Sequence, residues 1–226
     1  MTSKIEEGTA RVLDVIWRTD GIYELVLERN GVSFVPGDCA ALFGEDGQGS
    51  RPYSFSSGAN DPELRFLIRR MEGGEVSPYL GSRKQGDRVK ISPPFGWFRP
   101  GQAGNQAPSV FIATGTGIAP FMSYLRTWPN SPPLSCLYGV RTRADAVDVE
   151  WMREQCDVRL AVSRETAQDA HHGRVTDLLD DIPLGPGIHY YLCGLDAMID
   201  QTSDWLEERG IPIAHIHREC FFNADA

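Results

Sequence analysis

The sequence predicts two domains, an antiparallel Greek-key β-barrel followed by an α/β domain built on a parallel sheet. Three observations carry this. From Gly8 to about Phe98, short strand-like runs are separated by turn residues. A stretch rich in Gly, Pro and polar residues, "RPGQAGNQAP" at 99–108, then interrupts the pattern. Beyond it, apolar strands alternate with helical segments, as in a parallel sheet covered by helices on both faces. The expected boundaries are 1–100 for the barrel, 101–107 for the linker and 108–226 for the α/β domain.

Taken in order, "TARVLDVIW" and "IYELVLE" form a hairpin around Thr19-Asp20-Gly21, and Asn30-Gly31 and "VPGD" at 35–38 mark the next turns. "CAALF", "RPYSFSS", "LRFLIRR" and "DRVKISPP" bring the count to six strands, enough for a closed or nearly closed barrel. A short helix is expected at "SPYLGSRK", with Ser77 as N-cap and Pro78 in the first helical position. In the second half "SVFIAT", "LSCLYGV", "VRLAVS", "HYYLCG" and "IAHIHREC" read as strands. "APFMSYLRTW", "DVEWMREQ", "RVTDLLDDI" and "DAMIDQTSDWLEERG" read as helices, the last capped by Asp196.

Composition excludes several classes. The net charge of −9 argues against nucleic acid as the main partner. No apolar run approaches the ~20 residues that span a bilayer, and "MTSKIEEGTA" lacks the apolar centre of a signal peptide. A cytoplasmic monomer is expected. Cys39, Cys136, Cys156, Cys193 and Cys220 are scattered, with no CxxC and no zinc-ligand spacing, which suits reduced thiols and argues against an iron–sulfur cluster in this chain or any metal site. Charge is uneven: the first hundred residues nearly balance, and the remainder carries most of the negative excess. Arg65, Arg69, Arg70, Arg83, Lys84 and Arg88 form a basic run, either a solvated face or a patch for phosphates or an acidic partner.

Chemistry concentrates at three places. At the first β–α junction, "ATGTGIAPF" contains Thr114, Gly115, Thr116, Gly117 and Pro120. Glycine admits close backbone approach, and the following helix start offers free N–H groups to an anion. A second junction, "YYLCGLDAMID", puts Cys193 and Gly194 at the carboxyl end of a strand, where ligands of open α/β sheets bind; Cys193 also reads as a small buried hydrophobe. "RPYSFSSG" combines a guanidinium, a phenol ring and hydroxyls in one strand, with Pro52 suited to an edge.

Together these segments resemble the ferredoxin–NADP(H) reductase family over essentially the whole chain. "RPYS" (51–54) is similar to the flavin motif R-x-Y-[ST] and "GEVS" (74–77) to the flavin-phosphate motif G-x-x-[ST]. "PPFGWF" (93–98) resembles the segment ending the barrel, "GTGIAP" (115–120) the dinucleotide loop, "CGLDAM" (193–198) the C-G-x-x-x-M segment, and "ECF" (219–221) the terminal E-x-aromatic.

The resemblance implies FAD and NADP(H) as cofactors and hydride exchange between them, with single electrons passed to or from a ferredoxin or flavodoxin. It implies that Arg51 pairs with the flavin pyrophosphate, that Tyr53 stacks on the ring beside Pro52, and that Gly74, Glu75, Val76 and Ser77 cradle the pyrophosphate. Arg69 is carried as a further cofactor contact. Ser54, Cys193 and Glu219 become the catalytic set, with Gly194 and Met198 beside the nicotinamide. Phe221 or Phe222 would cover the flavin, and the run-on to Ala226 leaves that register open. Ser163 and Arg164 of "AVSRET", with Arg174, resemble the 2′-phosphate site of NADP(H)-using members. Plainer readings stand beside these: Glu219 as a surface charge, the two Phe as core, Arg164 as a solvated loop residue. The alternative functions are an NADH-dependent reductase component of an oxygenase and a non-catalytic flavin-binding electron-transfer subunit.

Overall fold

The computed structural model describes residues 8–47, 49–101 and 107–221. The first sheet begins with the hairpin of β1 (Gly8–Thr19) and β2 (Ile22–Glu28), whose turn is fixed by Thr19 Oγ1 accepting the Gly21 and Ile22 N–H groups. β3 (Cys39–Phe43), β4 (Ser50–Ser54), β5 (Glu63–Arg69) and β6 (Arg88–Ile91) complete six antiparallel strands in the order β4-β3-β6-β1-β2-β5. Phe55, just past β4, bridges to Phe66 of β5 and draws the two edges together. Strand alternation sends Tyr23, Leu25 and Leu27 inward with Leu64, Phe66 and Ile68 to fill the barrel. Pro52 lies on the edge strand, where its missing donor costs nothing.

The second sheet is parallel, with β7 (Ser109–Thr114), β8 (Ser135–Val140), β9 (Val158–Val162), β10 (His171–His172), β11 (His189–Gly194) and β12 (Ile216–Cys220) in the order β10-β9-β8-β7-β11-β12. Helices α2 (Ala119–Thr127), α3 (Val149–Gln155) and α4 (Asp196–Glu208) cover it; α1 (Val76–Gly81) belongs to the barrel. No helix among the described residues is long and apolar enough to cross a membrane.

Four expectations need correction. Glu75, not Ser77, is the cap residue of α1, and Pro78 sits in its third position. Ser77 is drawn inside because its Oγ accepts the Met71 N–H and its carbonyl accepts the Tyr23 hydroxyl. Leu195 takes the cap position of α4; Asp196 opens the helix and accepts the Cys220 thiol instead. The "RVTDLLDDI" segment is a 3-10 turn at Val175–Asp181, and the two-residue β10 before it went unpredicted. Most of the expected linker lies outside the described residues.

The two sheets meet through one apolar cluster. Ile22, Leu67 and Phe98 pack with Phe111, Phe121, Tyr124 and Tyr191 of the second sheet's layer. Each such side chain contributes about 1.5–3 kcal/mol on burial. Polar pairs line the same seam. Glu24, fully buried, takes Arg65 at 2.8 Å and Arg18 at 3.2 Å; Arg18 also approaches Asp148, which pairs with Arg126 at 2.9 Å. The basic run divides between this seam and the open surface, where Arg70, Lys84 and Arg88 are exposed. Arg65 is held by Glu24 and Glu63, Arg83 lies on the Tyr79 ring near Asp87, and Arg88 reaches Thr9.

Candidate functional site

At the carboxyl edge of the second sheet, β11 and β12 place Cys193 opposite Glu219 in register. β4 ends at Ser54, which the barrel delivers to the same point. Ser54 Oγ donates to Glu219 Oε2 at 3.4 Å, and the Cys193 thiol donates to the same oxygen at 3.8 Å. Three residues from three strands and two sheets thus converge on one carboxylate.

Burial is the main cause that lifts the Glu219 carboxyl to about 7, so it holds or releases a proton near neutrality; its two donors oppose the rise. Burial, then the neighbouring carboxylate, drives the Cys193 thiol well above its ordinary range, which keeps it a neutral donor. Two neighbours escaped sequence reasoning. Cys39 pairs with Ser54 across β3 and β4 and lies in the electrostatic reach of Glu219. Asp38, ion-paired with Arg99 at 2.8 Å, adds charges of both signs. The "VPGD" turn leading into β3 was the available signal.

The two glycine junctions lock onto each other. A Cβ on Gly117 would run into the Cys193 carbonyl, and one on Gly194, at φ +140°, into Thr114 Oγ1. Thr114 Oγ1 also accepts the Leu195 N–H at 2.9 Å. Gly115, at φ +55°, differs: a Cβ there would meet only Arg69 Nη2, at 3.7 Å. Thr116 is half-buried beside it, and Pro120 is buried in the first turn of α2. Met198 is buried in the core formed with Ile112 and Leu192, whereas Cys193 belongs to the other cluster; the structure does not bring the two side chains together.

On the barrel, Arg51 and Pro52 are exposed and Tyr53 is half-buried. The Gly74 N–H, expected in an anion cradle, is spent on Met71 O at 3.1 Å. The first N–H groups of α1, those of Val76 and Ser77 after the exposed Glu75, remain at the helix start. Across the second sheet, Ser163 and Arg164 follow β9 and Arg174 follows β10, all exposed and adjacent because the two strands are paired at His172 and Val162. Phe221 packs half-buried against the cluster containing Cys193, its N–H donating to Gly194 O at 2.9 Å. Phe222 lies outside the described residues.

Comparison with known proteins follows the same division. Residues 22–99 match the oxidoreductase FAD-binding domain, and residues 111–204 match the oxidoreductase NAD-binding domain. A ferredoxin–NADP reductase B from Sorangium cellulosum is 29% identical over 76% of this chain and 78% of its own length. The chain belongs to the ferredoxin reductase family. Among other members, the toluate 1,2-dioxygenase electron transfer component of Pseudomonas putida is 31% identical over 85% of this chain and 60% of that protein. The chain thus spans about 60% of the length of such curated relatives. A ferredoxin–NADP+ reductase from Neisseria gonorrhoeae, solved with FAD and NADP, shares the fold at a TM-score of 0.83, with 19% identity over 97% of this chain and 100% of that one.

Proposed function

We propose that this family member is a flavoenzyme in which FAD on the barrel exchanges hydride with NADPH and single electrons with a ferredoxin or flavodoxin. The observation that carries this is the convergence of Ser54, Cys193 and Glu219 where the two sheets meet. FAD, when bound, supplies both the hydride and the single-electron chemistry. The donor set fits it: an exposed guanidinium at Arg51 for phosphate, a half-buried Tyr53 ring for stacking against Pro52, and helix-start N–H groups after Glu75. Ser54 and Cys193 orient the reacting face by hydrogen bonds, and Glu219 holds a proton near them. Phe221 covers the remaining side and moves for the nicotinamide. Thr114, Gly115, Thr116, Gly117 and Gly194 shape the nucleotide loop, and residues 1–100 and 108–226 act as the two cofactor domains.

The preference for NADPH rests on Ser163, Arg164 and Arg174, exposed side by side with no Asp or Glu ending β9. Several relatives are named as reductase or electron transfer components of dioxygenase systems. The carrier is therefore read as a separate small electron-transfer protein. The five free cysteines agree with a reducing cytoplasm, and the net charge of −9 with a partner other than nucleic acid. Anaerobic addition of NADPH to the yellow holoprotein should bleach the flavin, and NADH should do so at least about tenfold less efficiently in kcat/KM. An unbleached holoprotein overturns the enzyme reading in favour of a non-catalytic flavin-binding subunit, and equal use of both nucleotides overturns the coenzyme reading.

A further inference from the structure

We propose that Arg126 is a positioning residue for hydride transfer: it clamps the far end of α2 to the barrel loop that follows Ser54 and so fixes the nicotinamide loop over the flavin. This rests on the proposed nicotinamide-to-flavin reaction and adds to it a residue at the opposite end of the helix from the nucleotide loop.

The helix acts as a rod. The 3-10 turn Gly115–Ile118 runs without a break into α2, so the loop proposed to take the nucleotide is one end of an element whose other end carries Arg126 and Thr127. Every residue from Ala119 to Leu125 is buried, and Phe121 stacks on Phe111 of β7 with ring centres 4.5 Å apart. The 9 residues of α2 span roughly 13 Å. A tilt of about 5° at one end therefore displaces the other by about 1 Å, and a misplacement of that size costs up to about a hundredfold in rate.

The barrel supplies a fixed anchor for that rod. Arg29 Nη1 and Nη2 donate to the Asp61 and Ala59 carbonyls at 2.7 and 2.5 Å, and the Gly58 N–H donates to Asp61 Oδ2 at 2.7 Å. Onto this loop α2 closes by two contacts. Arg126 Nη1 donates at 2.5 Å to the carbonyl of Ser56, the second residue after Ser54, and Thr127 Oγ1 accepts the Ala59 N–H at 2.9 Å. A Cβ on Gly58 would stand 3.1 Å from Arg126 Cβ and 2.9 Å from Asp61 Oδ1, so the missing side chain is what admits the helix this closely. On the other side, Arg126 Nη2 donates to Asp148 Oδ2 at 2.9 Å, and its guanidinium lies 4.7 Å from the centre of the Trp151 ring. Asp148 holds a left-handed φ of +52°, uncommon for a residue other than glycine, and its carboxylate makes no cap bond to α3, the helix it precedes. It faces Arg126 and Arg18 instead. One planar fork thus bridges a carbonyl of the barrel and a carboxylate of the opposite layer, a geometry that a lysine point charge reproduces only in part.

The test uses the full-length, FAD-loaded protein and two readouts. One is the rate of flavin bleaching at saturating NADPH under anaerobic conditions. The other is the long-wavelength charge-transfer absorbance when NADP+ is added to the photoreduced protein, which reports overlap of the two rings without turnover. Arg126→Gln should lower the saturated rate by roughly ten- to a hundredfold and weaken the absorbance, with KM and NADP+ affinity within about twofold and FAD content unchanged. Arg126→Lys, which keeps the charge and can reach one acceptor, should recover part of both. Gly58→Ala moves the same contact from the barrel side; it should reproduce both losses and decides the matter if the Gln variant folds poorly. Three results overturn the inference: full rate and absorbance in Gly58→Ala or Arg126→Gln, a lowered Tm with both readouts intact, or a raised KM with the saturated rate unchanged. An unmodified protein that neither nucleotide bleaches overturns the proposed function itself, and this inference with it.

Discussion

Ser54, Cys193 and Glu219 are fixed by strand ladders on both sides of the domain seam, and each is hydrogen-bonded to another of the three. Arg51, Pro52 and Glu75, by contrast, stand in solvent on an edge strand and a helix start. The first region, the corner, is ordered before any ligand arrives, because its groups satisfy one another. The second, the rim, keeps its donors outward and depends on a ligand to engage them. A corner of this kind is intolerant of added atoms, while a rim tolerates them and loses affinity instead.

The strongest way to break this contrast is a single methyl group. Gly194→Ala forces a Cβ into Thr114 at a backbone angle of +140° and displaces both glycine junctions. A loss on the order of 3 kcal/mol is expected, with Tm falling by about 10 °C. Gly74→Ala on the rim meets Met71 at 3.2 Å without a left-handed φ and should cost under about 1 kcal/mol. Thermal melts of the two variants that agree within a degree would remove the distinction.

What the sequence made legible follows the same line. Alternation in "LRFLIRR" and "IYELVLE" showed which residues share a face, and the ordered motifs named Cys193 and Glu219 although 26 residues separate them. What lies across from a face was not legible. Arg65 is on the seam because Glu24 lies there, and Arg69 turns to the second sheet because Leu67 is buried against it. Ser77 looked like a helix cap because its partner Met71 lies in a turn whose shape no local pattern states. Met198 fits its motif, yet its side chain joins the core behind the sheet.

Titration of Glu219 sharpens the contrast next. Burial holds its carboxyl at about 7, above the ordinary 4.5, so the native state retains a proton that the unfolded chain has released. This contribution is complete below about pH 4.5 and is lost as pH rises through about 7, an effect on the order of 3 kcal/mol. Glu219→Gln should flatten that slope in denaturant melts and remove a break near pH 7 from the rate of flavin reduction. A slope that survives the substitution assigns the proton elsewhere.

The rim responds through affinity. Arg51→Ala removes a charge-assisted contact of about 1.5–3 kcal/mol, so FAD should bind roughly ten- to a hundredfold more weakly. The apoprotein melt should stay within about 0.5 kcal/mol, since Arg51 is exposed and bonds only the Ser50 carbonyl among the described residues. Full FAD occupancy in the variant would move the phosphate contact to another residue.

The smallest effect is expected at the far end of the corner's own strand. His217 lies two residues before Glu219 on the same face of β12, the edge strand of its sheet. Its Nε2 meets His189 Nδ1 at 2.9 Å, and its ring stacks on Tyr191 at 4.4 Å. Such an imidazole pair shares one proton and needs at least one neutral ring. Burial first, then His189 and His215, hold His217 down at about 4, below the ordinary 6.5. The sign is therefore opposite to that of Glu219. This contribution is complete above about pH 6.5 and is lost as pH falls toward 4, about 1 kcal/mol once solvent screening of a half-exposed ring is allowed for. The two windows overlap and the Glu219 contribution is the larger, so the corner should be most stable near pH 4.5 and lose stability as pH rises toward 7, with the His217 limb partly offsetting that loss. His217→Phe keeps the stack and discards the proton, so it should abolish the acid limb and leave the Glu219 limb intact. If the acid limb persists in that variant, the edge strand is held by its ladder alone.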